Sequence, residues 1–546
     1  MFHNNIIKVL NWLRDIVSMR IFIYLYILNL VANCLSILYF QNLLAYVSFV
    51  MLAAIITFVE VIPIKLFSQL KWLKNVIVGI LVILINGLIV VDIFLIKEFN
   101  LLFGEDVINI IADTNPTEVS NFASTYLSFS NILVITSIVI LINLVAFFVS
   151  KFVVNFKRIW IVNSILCVGG VFLCCISVYS QKVFGSGLGI PQYASITRYV
   201  HAGYLLNKRY AHVENLQNIC KDVVSTTSIN DDRIIILVIG ESFSKAHSSL
   251  YGYKLSTNPL LGKLKENGEL ICFENVITPY NATHSTMQAL FSVGEFGSSP
   301  LFPCFFKEAG YYTHISENQY LLGAAMNFLT DKKLSDLMFS NRQEFKYVHD
   351  EQMIDALVVN HAPALYILHL QGQHYAYENR YPNTFNKFTC ADYDEKKWDE
   401  SQRKIIAHYD NATLYNDYVI NKLINKCRDK NVCLIYLSDH GEEVYDERDY
   451  MGHGDISKSK KLLDYQVRIP FIIWVSDKFK LENNELVDKI KQNENTPITT
   501  NDISHILLGL GNIDCDYYKP NRDFLNDKYD KSRHRITLNS VDYDAL

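Results

Sequence analysis

Ile234-Ile235-Ile236-Leu237-Val238-Ile239-Gly240-Glu241-Ser242 is an unbroken apolar run that stops abruptly at a carboxylate and a hydroxyl. A strand with one wet face alternates apolar and polar residues, so continuous apolarity predicts a strand buried on both faces of a parallel sheet. Runs of the same kind recur at 311–315, 364–370, 432–437 and 469–475, with helical patterns between them such as 402–427 and 502–510. Short buried strands alternating with helices predict an α/β domain whose mostly parallel central sheet is covered on both faces. No internal repeat or low-complexity tract interrupts the pattern.

Open α/β sheets bind their ligands at the carboxyl ends of the strands. Three of those ends carry unusual residues. The 234–240 strand delivers Glu241, the 364–370 strand runs into Gln371-Gly372-Gln373-His374, and the 432–437 strand runs into Ser438-Asp439-His440-Gly441-Glu442. His453, in Met451-Gly452-His453-Gly454, follows after a short loop. One Asp-His-Gly alone is more often a capped turn. Carboxylate oxygens joined by an imidazole nitrogen, however, suit zinc, with three protein ligands and a position left for a reacting oxygen.

The rest of the chain is of another kind. Its 546 residues are 50% hydrophobic and 13% aromatic, and a mean hydropathy of +0.13 is too apolar for an ordinary soluble enzyme. A formal charge of −5 leaves no basic excess, which argues against nucleic acid as a partner. Low Gly (23) and Pro (12) beside 33 Tyr and 32 Phe exclude a disordered or fibrous chain. Five apolar runs, near 20–41, 43–66, 75–96, 130–150 and 159–180, are each long enough to cross roughly 30 Å of hydrocarbon. Residues 1–19 are amphipathic, interrupted by Lys8 and Arg14, and carry no small-residue cleavage site, so the first run is expected to stay as an anchor.

Orientation follows from the basic residues. Lys8, Arg14 and Arg20 precede the first run, Lys65, Lys71 and Lys74 separate the second from the third, and Lys151, Lys157 and Arg158 separate the fourth from the fifth. All three clusters belong on the cytoplasmic side. Everything after about residue 180 is therefore expected outside, where disulfides persist. Seven of the eleven cysteines lie there (Cys220, Cys272, Cys304, Cys390, Cys427, Cys433 and Cys515), an odd number with no C-x-x-C pair, which makes a structural zinc ribbon improbable. Residues 1–180 form the expected membrane domain, 181–229 a connector and 230–546 the outer domain. In the connector, Gly185-Ser186-Gly187 is flexible punctuation, and the helical spacing from Tyr193 to Leu216 fits an interfacial helix or a plain linker helix equally. Asp92 and Glu60 are acids in costly surroundings, and Asp92, nearer the outer side, is the better functional candidate.

Taken in order, the blocks resemble a known family. They are Gly240-Glu241-Ser242, Tyr251-Gly252-Tyr253 with Thr257-Asn258-Pro259, Phe273-Glu274-Asn275-Val276 leading to Thr283, Ser438-Asp439-His440-Gly441-Glu442, and Gly452-His453-Gly454. The chain is similar over nearly its whole length to the membrane-bound phosphoethanolamine transferases of Gram-negative envelopes, relatives of the alkaline phosphatases and sulfatases. The resemblance implies five transmembrane helices in the bacterial inner membrane and a periplasmic catalytic domain of alkaline phosphatase/sulfatase type. It implies Thr283 as nucleophile and Glu241, Asp439 and His440, with Thr283, as ligands of one zinc ion; a second ion is left open. His374 and His453 match histidines near the substrate phosphate, and Glu442 supports them. Thr114 and Glu118, in the outward loop, match a segment that meets substrate, although an Asn-Pro turn and a capped helix read equally well there. The implied reaction takes phosphoethanolamine from phosphatidylethanolamine through a covalent phospho-threonine, releases diacylglycerol, and passes the group to lipopolysaccharide (lipid A or a core sugar) or a related envelope glycan. The implied enzyme works as a monomer among membrane lipids. The alternative is a phosphoglycerol transferase or phosphodiesterase on the same scaffold.

Without the resemblance, Asn281-Ala282-Thr283-His284-Ser285-Thr286 reads as a helix start with a capping Thr or Ser. Such a start also turns backbone N–H groups toward an anion. Lipid A-modifying members of the family have a disulfide bracketing the nucleophile and a Lys beyond the Asn318-Gln319 position. Here Pro279 and Ala289 stand at the disulfide positions and no Lys occurs in Tyr320-Leu321-Leu322-Gly323, which leaves the acceptor open.

Overall fold

The computed structural model describes residues 2–38, 43–99, 101–104, 107–108, 111, 122–123, 126–156, 158–184, 193–220, 222–228, 232–295, 298–319, 335–340, 347–453, 459–538 and 541–546. The chain forms two compact units, and the division between Lys208 and Arg209 falls within one helix.

The N-terminal unit is helical. An amphipathic α1 (Phe2–Ser18) precedes α2 (Arg20–Cys34), α3 (Leu43–Leu66), α4 (Lys71–Phe99), α5 (Phe129–Val153) and α6 (Ile159–Phe184), and α7 (Ser195–Ile219) leaves the unit. The segments Arg20–Ile37, Leu43–Leu66, Lys71–Phe99, Phe129–Val153 and Ile159–Tyr179 are each long and apolar enough to cross a membrane. Phe22, Leu25, Leu28, Val61, Ile64, Ile85 and Ile89 form their shared apolar seam. Apolar packing gives little preference for one helix pairing over another in hydrocarbon, so polar contacts select partners. Asn143 on α5 donates to Asn86 on α4 at 2.7 Å and accepts from Tyr24 on α2 at 2.7 Å. Asn29 on α2 donates to Glu60 on α3 at 2.7 Å, which gives a partner to one of the two acids singled out in the sequence.

The other acid is also paired. Asp92, fully buried on α4, meets Arg198 Nη2 of α7 at 2.5 Å and accepts from Phe103 N at 3.2 Å and Ser195 Oγ at 3.2 Å. Arg198 donates further to Phe103 O at 2.8 Å and Ser36 Oγ at 2.7 Å. Tyr199 stacks on Phe103 with ring centroids 3.8 Å apart. This network holds the start of α7 against α4, which gives Asp92 a structural occupation where the sequence suggested a functional one.

The C-terminal unit is built on a seven-stranded sheet. Its strands are β1 (Ile234–Gly240), β2 (Leu270–Cys272), β3 (Tyr312–Glu317), β4 (Leu337–Ser340), β5 (Ala364–His369), β6 (Val432–Ser438) and β7 (Phe471–Val475), in spatial order β2-β7-β6-β1-β5-β3-β4. Only β7 runs antiparallel to its neighbours, β6 and β2. The sheet is thus mostly parallel, as expected, with the 469–475 run as its one reversed strand, a direction that a single apolar run carries no mark of. β1 is central and buried at all seven positions. Its side chains alternate between faces: Ile235, Leu237 and Ile239 enter one core with α8 (Thr283–Phe291) and α12 (Ile503–Leu510), while Ile234, Ile236 and Val238 enter the other. That second face is covered by α9 (Asp350–Ala356) and α10 (Glu400–Cys427), and α10 opens with a capping box in which Asp399 accepts from Gln402 N at 2.8 Å and Gln402 Oε1 from Asp399 N at 3.0 Å. An eight-residue α11 (Lys460–Val467) leads into β7. Cys272 and Cys427 are buried thiols in the core beneath α9 and α10, and Cys433 is one in the core on the other face.

Candidate metal centre

The registers Ile234↔Ala364 and Gly240↔Ser438 bring the carboxyl ends of β1, β5 and β6 to one level. Glu241 leaves β1 there, fully buried, and Ser242 takes φ 55°, a left-handed turn that a non-glycine residue adopts only under constraint. The constraint is visible: Tyr409 of α10 donates to Ser242 O at 2.6 Å and accepts from Ser244 N at 2.9 Å. Gly240 is required by the close approach of Tyr436, whose hydroxyl lies 2.2 Å from where a Cβ would stand.

Asp439 and His440 leave β6 beside Glu241. Asp439 Oδ1 accepts from Ser242 N at 3.1 Å and from His440 N at 2.7 Å, so the carboxylate cannot rotate freely. His440 Nδ1 donates to Gly441 O at 2.8 Å, which turns Nε2 toward the two carboxylates. That Nε2 lies 3.3 Å from Glu241 Oε1 and 3.4 Å from Asp439 Oδ2. Thr283, the first residue of α8, closes the group with Oγ1 at 3.2 and 3.1 Å from the two Glu241 oxygens and 3.2 Å from His440 Nε2. The N-cap of α8 is Ala282, with no side-chain cap. The capping Thr or Ser suggested by the sequence therefore gives way: the Thr283 hydroxyl turns into the cluster.

The electrostatics of this cluster are those of a cation site. Burial and the charge of Glu241 push the Asp439 carboxyl well above its usual range. Burial acts on Glu241 in the same direction, but the hydrogen bond and charge of His440, with the charges of His374 and His369, hold it well below. Burial would lower His440, yet Asp439 and Glu241 raise it to about 10. Two buried carboxylates thus compete for one proton's worth of positive charge. Asp439 Oδ2 is buried without a hydrogen-bond partner. An orphaned carboxylate oxygen, an imidazole Nε2 directed at it and a second carboxylate, with ligand atoms within 4.8 Å of one another, fit a bound divalent cation of zinc type, which would take the place of the proton.

A second group adjoins the first. The hairpin pairing Glu443–Val444 with Met451–Gly452 sets Glu442 opposite His453, whose Nδ1 lies 3.0 Å from Glu442 Oε2. Tyr377 donates to Glu442 Oε1 at 3.0 Å, and the His440 and His453 rings lie 4.0 Å apart. His374 ends the turn after β5, its N donating to Gln371 O at 3.1 Å and its O accepting from Arg380 Nε at 3.1 Å. Glu241, Thr283, Asp439, His440, Glu442 and His453 are thus assembled at one place, with His374 near enough for its charge to act on Glu241. Thr114 and Glu118 lie outside the described residues, as does the 320–323 stretch.

Two residues of the site escaped the sequence reading. His369, the last residue of β5, is buried with neither ring nitrogen hydrogen-bonded and Nε2 4.0 Å from Glu241 Oε2; burial, against the pull of Glu241, lowers it to about 4. In the sequence it sits inside an apolar strand, and only its place at the strand's carboxyl end marks it. Gln319, just past β3, donates to Glu241 Oε2 at 2.9 Å and to Leu370 O at 2.8 Å. No local sequence signal points to it.

Comparison with known proteins places the chain in a family. The chain is 30% identical over 348 residues to the phosphoethanolamine transferase EptC of Escherichia coli O18:K1:H7, a match that spans 58% of each protein. The C-terminal periplasmic domain of EcEptC from Escherichia coli, solved in complex with Zn, matches 59% of this chain and 96% of that one with a TM-score of 0.53 at 27% identity. The integral membrane protein lipooligosaccharide phosphoethanolamine transferase A from Neisseria meningitidis matches 93% of this chain and 98% of its own with a TM-score of 0.59; at 17% identity this shows likeness of fold, helical unit included. The Sulfatase family model matches residues 233–513, just over half the chain and all of the cluster described above. The strand ends that carry Glu241, Asp439 and His440 are thus those of a sulfatase-type sheet, and the chain belongs to the Sulfatase family.

Proposed function

We propose that this protein is a multi-pass inner-membrane phosphoethanolamine transferase whose outer domain faces the periplasm. In this reading it takes the group from phosphatidylethanolamine and delivers it to lipopolysaccharide, at lipid A or a core sugar. The observation that carries the reading is the Thr283 hydroxyl held within 3.2 Å of both Glu241 oxygens and of His440 Nε2, at the first residue of a helix. A threonine in a merely structural role would cap its helix or face solvent. The name of the EptC relative and the zinc of the EcEptC periplasmic domain support the same reading.

Glu241, Asp439, His440 and Thr283 would hold one zinc ion. When bound, zinc lowers the pKa of a coordinated hydroxyl and stabilises negative charge on an attacked phosphoryl group. The chain's own residues do the rest. Thr283 Oγ1 bonds to the phosphorus of the donor as the bond from phosphorus to the diacylglycerol oxygen breaks, and the first N–H groups of α8 face the phosphoryl oxygens. The Thr283 proton passes to a neighbouring base, and His374 or His453 supplies a proton to the departing diacylglycerol oxygen. In the second half an acceptor oxygen, deprotonated by the same imidazoles, bonds to phosphorus and Thr283 Oγ1 leaves with its proton restored. Glu442, gripped by Tyr377, fixes the tautomer of His453 through Nδ1. Thr114 and Glu118 are proposed to meet the ethanolamine or the acceptor.

The test is donor-dependent release of diacylglycerol by the purified full-length protein. Phosphatidylethanolamine should support release, and Thr283→Ala should abolish it. Release from phosphatidylglycerol alone would replace the donor and favour a phosphoglycerol transferase.

A further inference from the structure

Asp350, the first residue of α9, is 3% exposed and lies outside the groups that touch Thr283. Its Oδ1 accepts from Asn318 Nδ2 at 2.8 Å and Gln371 N at 2.8 Å, and its Oδ2 accepts from Gly372 N at 3.0 Å. Asn318 follows β3 and Gln371 follows β5, so one carboxylate ties the carboxyl ends of two adjacent strands. Both tied segments touch Glu241. On the β3 side, Gln319 donates to Glu241 Oε2 at 2.9 Å. On the β5 side, Gly372 at φ 50° packs so closely that a Cβ there would lie 2.8 Å from Glu241 N and 2.9 Å from its O, and Gln373 N donates to Glu241 O at 3.0 Å. His374 is the next residue along.

We propose that Asp350 is a positioning residue for the metal centre, holding Glu241 against Thr283 and His440 through Gln319 and the Gln371-Gly372 turn. All three partners of Asp350 are N–H donors, and an ionised carboxylate offers only acceptors, so the pairing is complete. An amide in its place would set an NH2 against one of those donors in a buried site. Groups that orient a metal ligand are typically worth roughly 10- to 100-fold in metal affinity or activity. The inference rests on the transferase reading for its kinetic arm, while its metal-binding arm stands apart from it.

The experiment uses the full-length protein in detergent. Zinc affinity is measured by competition with a chromophoric chelator, and kcat and KM for phosphatidylethanolamine by diacylglycerol release, for wild type, Asp350→Asn and Asn318→Ala. Asp350→Asn should lower zinc affinity roughly 10- to 100-fold, with the loss in kcat and little change in KM. Asn318→Ala removes one tie, keeps the carboxylate and should lose less, so it decides the matter even where Asp350→Asn does not fold. Zinc affinity and kcat unchanged in the folded variants, with only a lower melting temperature, would overturn the proposal and leave Asp350 as ordinary core. A wild type that binds zinc yet releases no diacylglycerol would refute the transferase reading, and the zinc affinities would still judge Asp350.

Discussion

The Asp92–Arg198 pair offers a quantitative test of how α7 is held on the helical unit. Asp92 is fully buried and Arg198 nearly so, and among the described residues Arg198 contacts Asp92 Oδ2 at 2.5 Å, Phe103 O at 2.8 Å and Ser36 Oγ at 2.7 Å. Arg198→Met removes these contacts and strands the Asp92 carboxylate, which keeps Phe103 N and Ser195 Oγ. Stranding one member of a buried ion pair costs about 3–5 kcal/mol. Asp92→Leu strands the guanidinium and should cost a similar amount. The double variant leaves no uncompensated charge, and its remaining cost is that of the neutral Ser36, Ser195 and Phe103 groups left without these partners, about 1–3 kcal/mol each at most. The singles should therefore sum to more than the double, with a coupling above about 0.5 kcal/mol and on the order of the 0.5–3 kcal/mol seen for contacting residues. Reversible unfolding of the full-length protein in mixed micelles, following α-helical circular dichroism, measures all three variants. A double variant that equals the sum of the singles within about 0.5 kcal/mol would show that the pair carries no coupling and would refute the reasoning.

Further expectations concern the C-terminal unit. Gly240→Ala drives a methyl to 2.2 Å from the Tyr436 hydroxyl, which is tied to Asn416 Nδ2 at 2.8 Å; it should cost roughly 1–3 kcal/mol by denaturant titration, with partial recovery when Tyr436→Phe is added. His247 is buried, which would lower its pKa, but Asp446 and Asp410 at 3.3 and 2.7 Å raise it to about 10. Its folded pKa exceeds the unfolded one, so its contribution to stability is complete below about pH 6.5 and is lost as pH rises through about 10. Melting temperatures across this window should fall in wild type and flatten in His247→Asn; parallel slopes would refute the assignment. Zinc at 100 times its Kd should stabilise the protein by about 2.7 kcal/mol, and a chelator should reverse this. Glu241→Gln should abolish the zinc-dependent rise in Tm, and its persistence would move the metal elsewhere.

Much of the C-terminal sheet was legible because burial on both faces leaves a plain mark. The run from Ile234 to Gly240 shows it, and so does Val432–Ser438. β2 and β4, of three and four residues, are too short to carry a periodicity, and the reversed direction of β7 is set by pairing partners far away in sequence. Glu241, Asp439 and His440 were legible because carboxylates and an imidazole just past apolar strands have no packing reason to be there. His369 was hidden by lying one residue earlier, inside a strand. Gln319 and Asp350 act only through tertiary hydrogen bonds, which no spacing rule encodes. Thr283 shows a local rule overridden: three hydroxyls at a helix start suggested a cap, and the fold instead places Thr283 at the first helical position beside Glu241. Asp92 is the converse case, an intramembrane acid that invites a functional reading until its partner, 106 residues away, is in view.

The central claim is that Thr283 carries the group in transit. Mass spectrometry of the Thr283 peptide, from zinc-loaded full-length protein incubated with phosphatidylethanolamine and no acceptor, tests it directly beside a Thr283→Ala control. The account predicts a phosphoethanolamine adduct on Thr283 that is absent from the control. A wild-type peptide that stays unmodified while zinc is bound and diacylglycerol is released would contradict it.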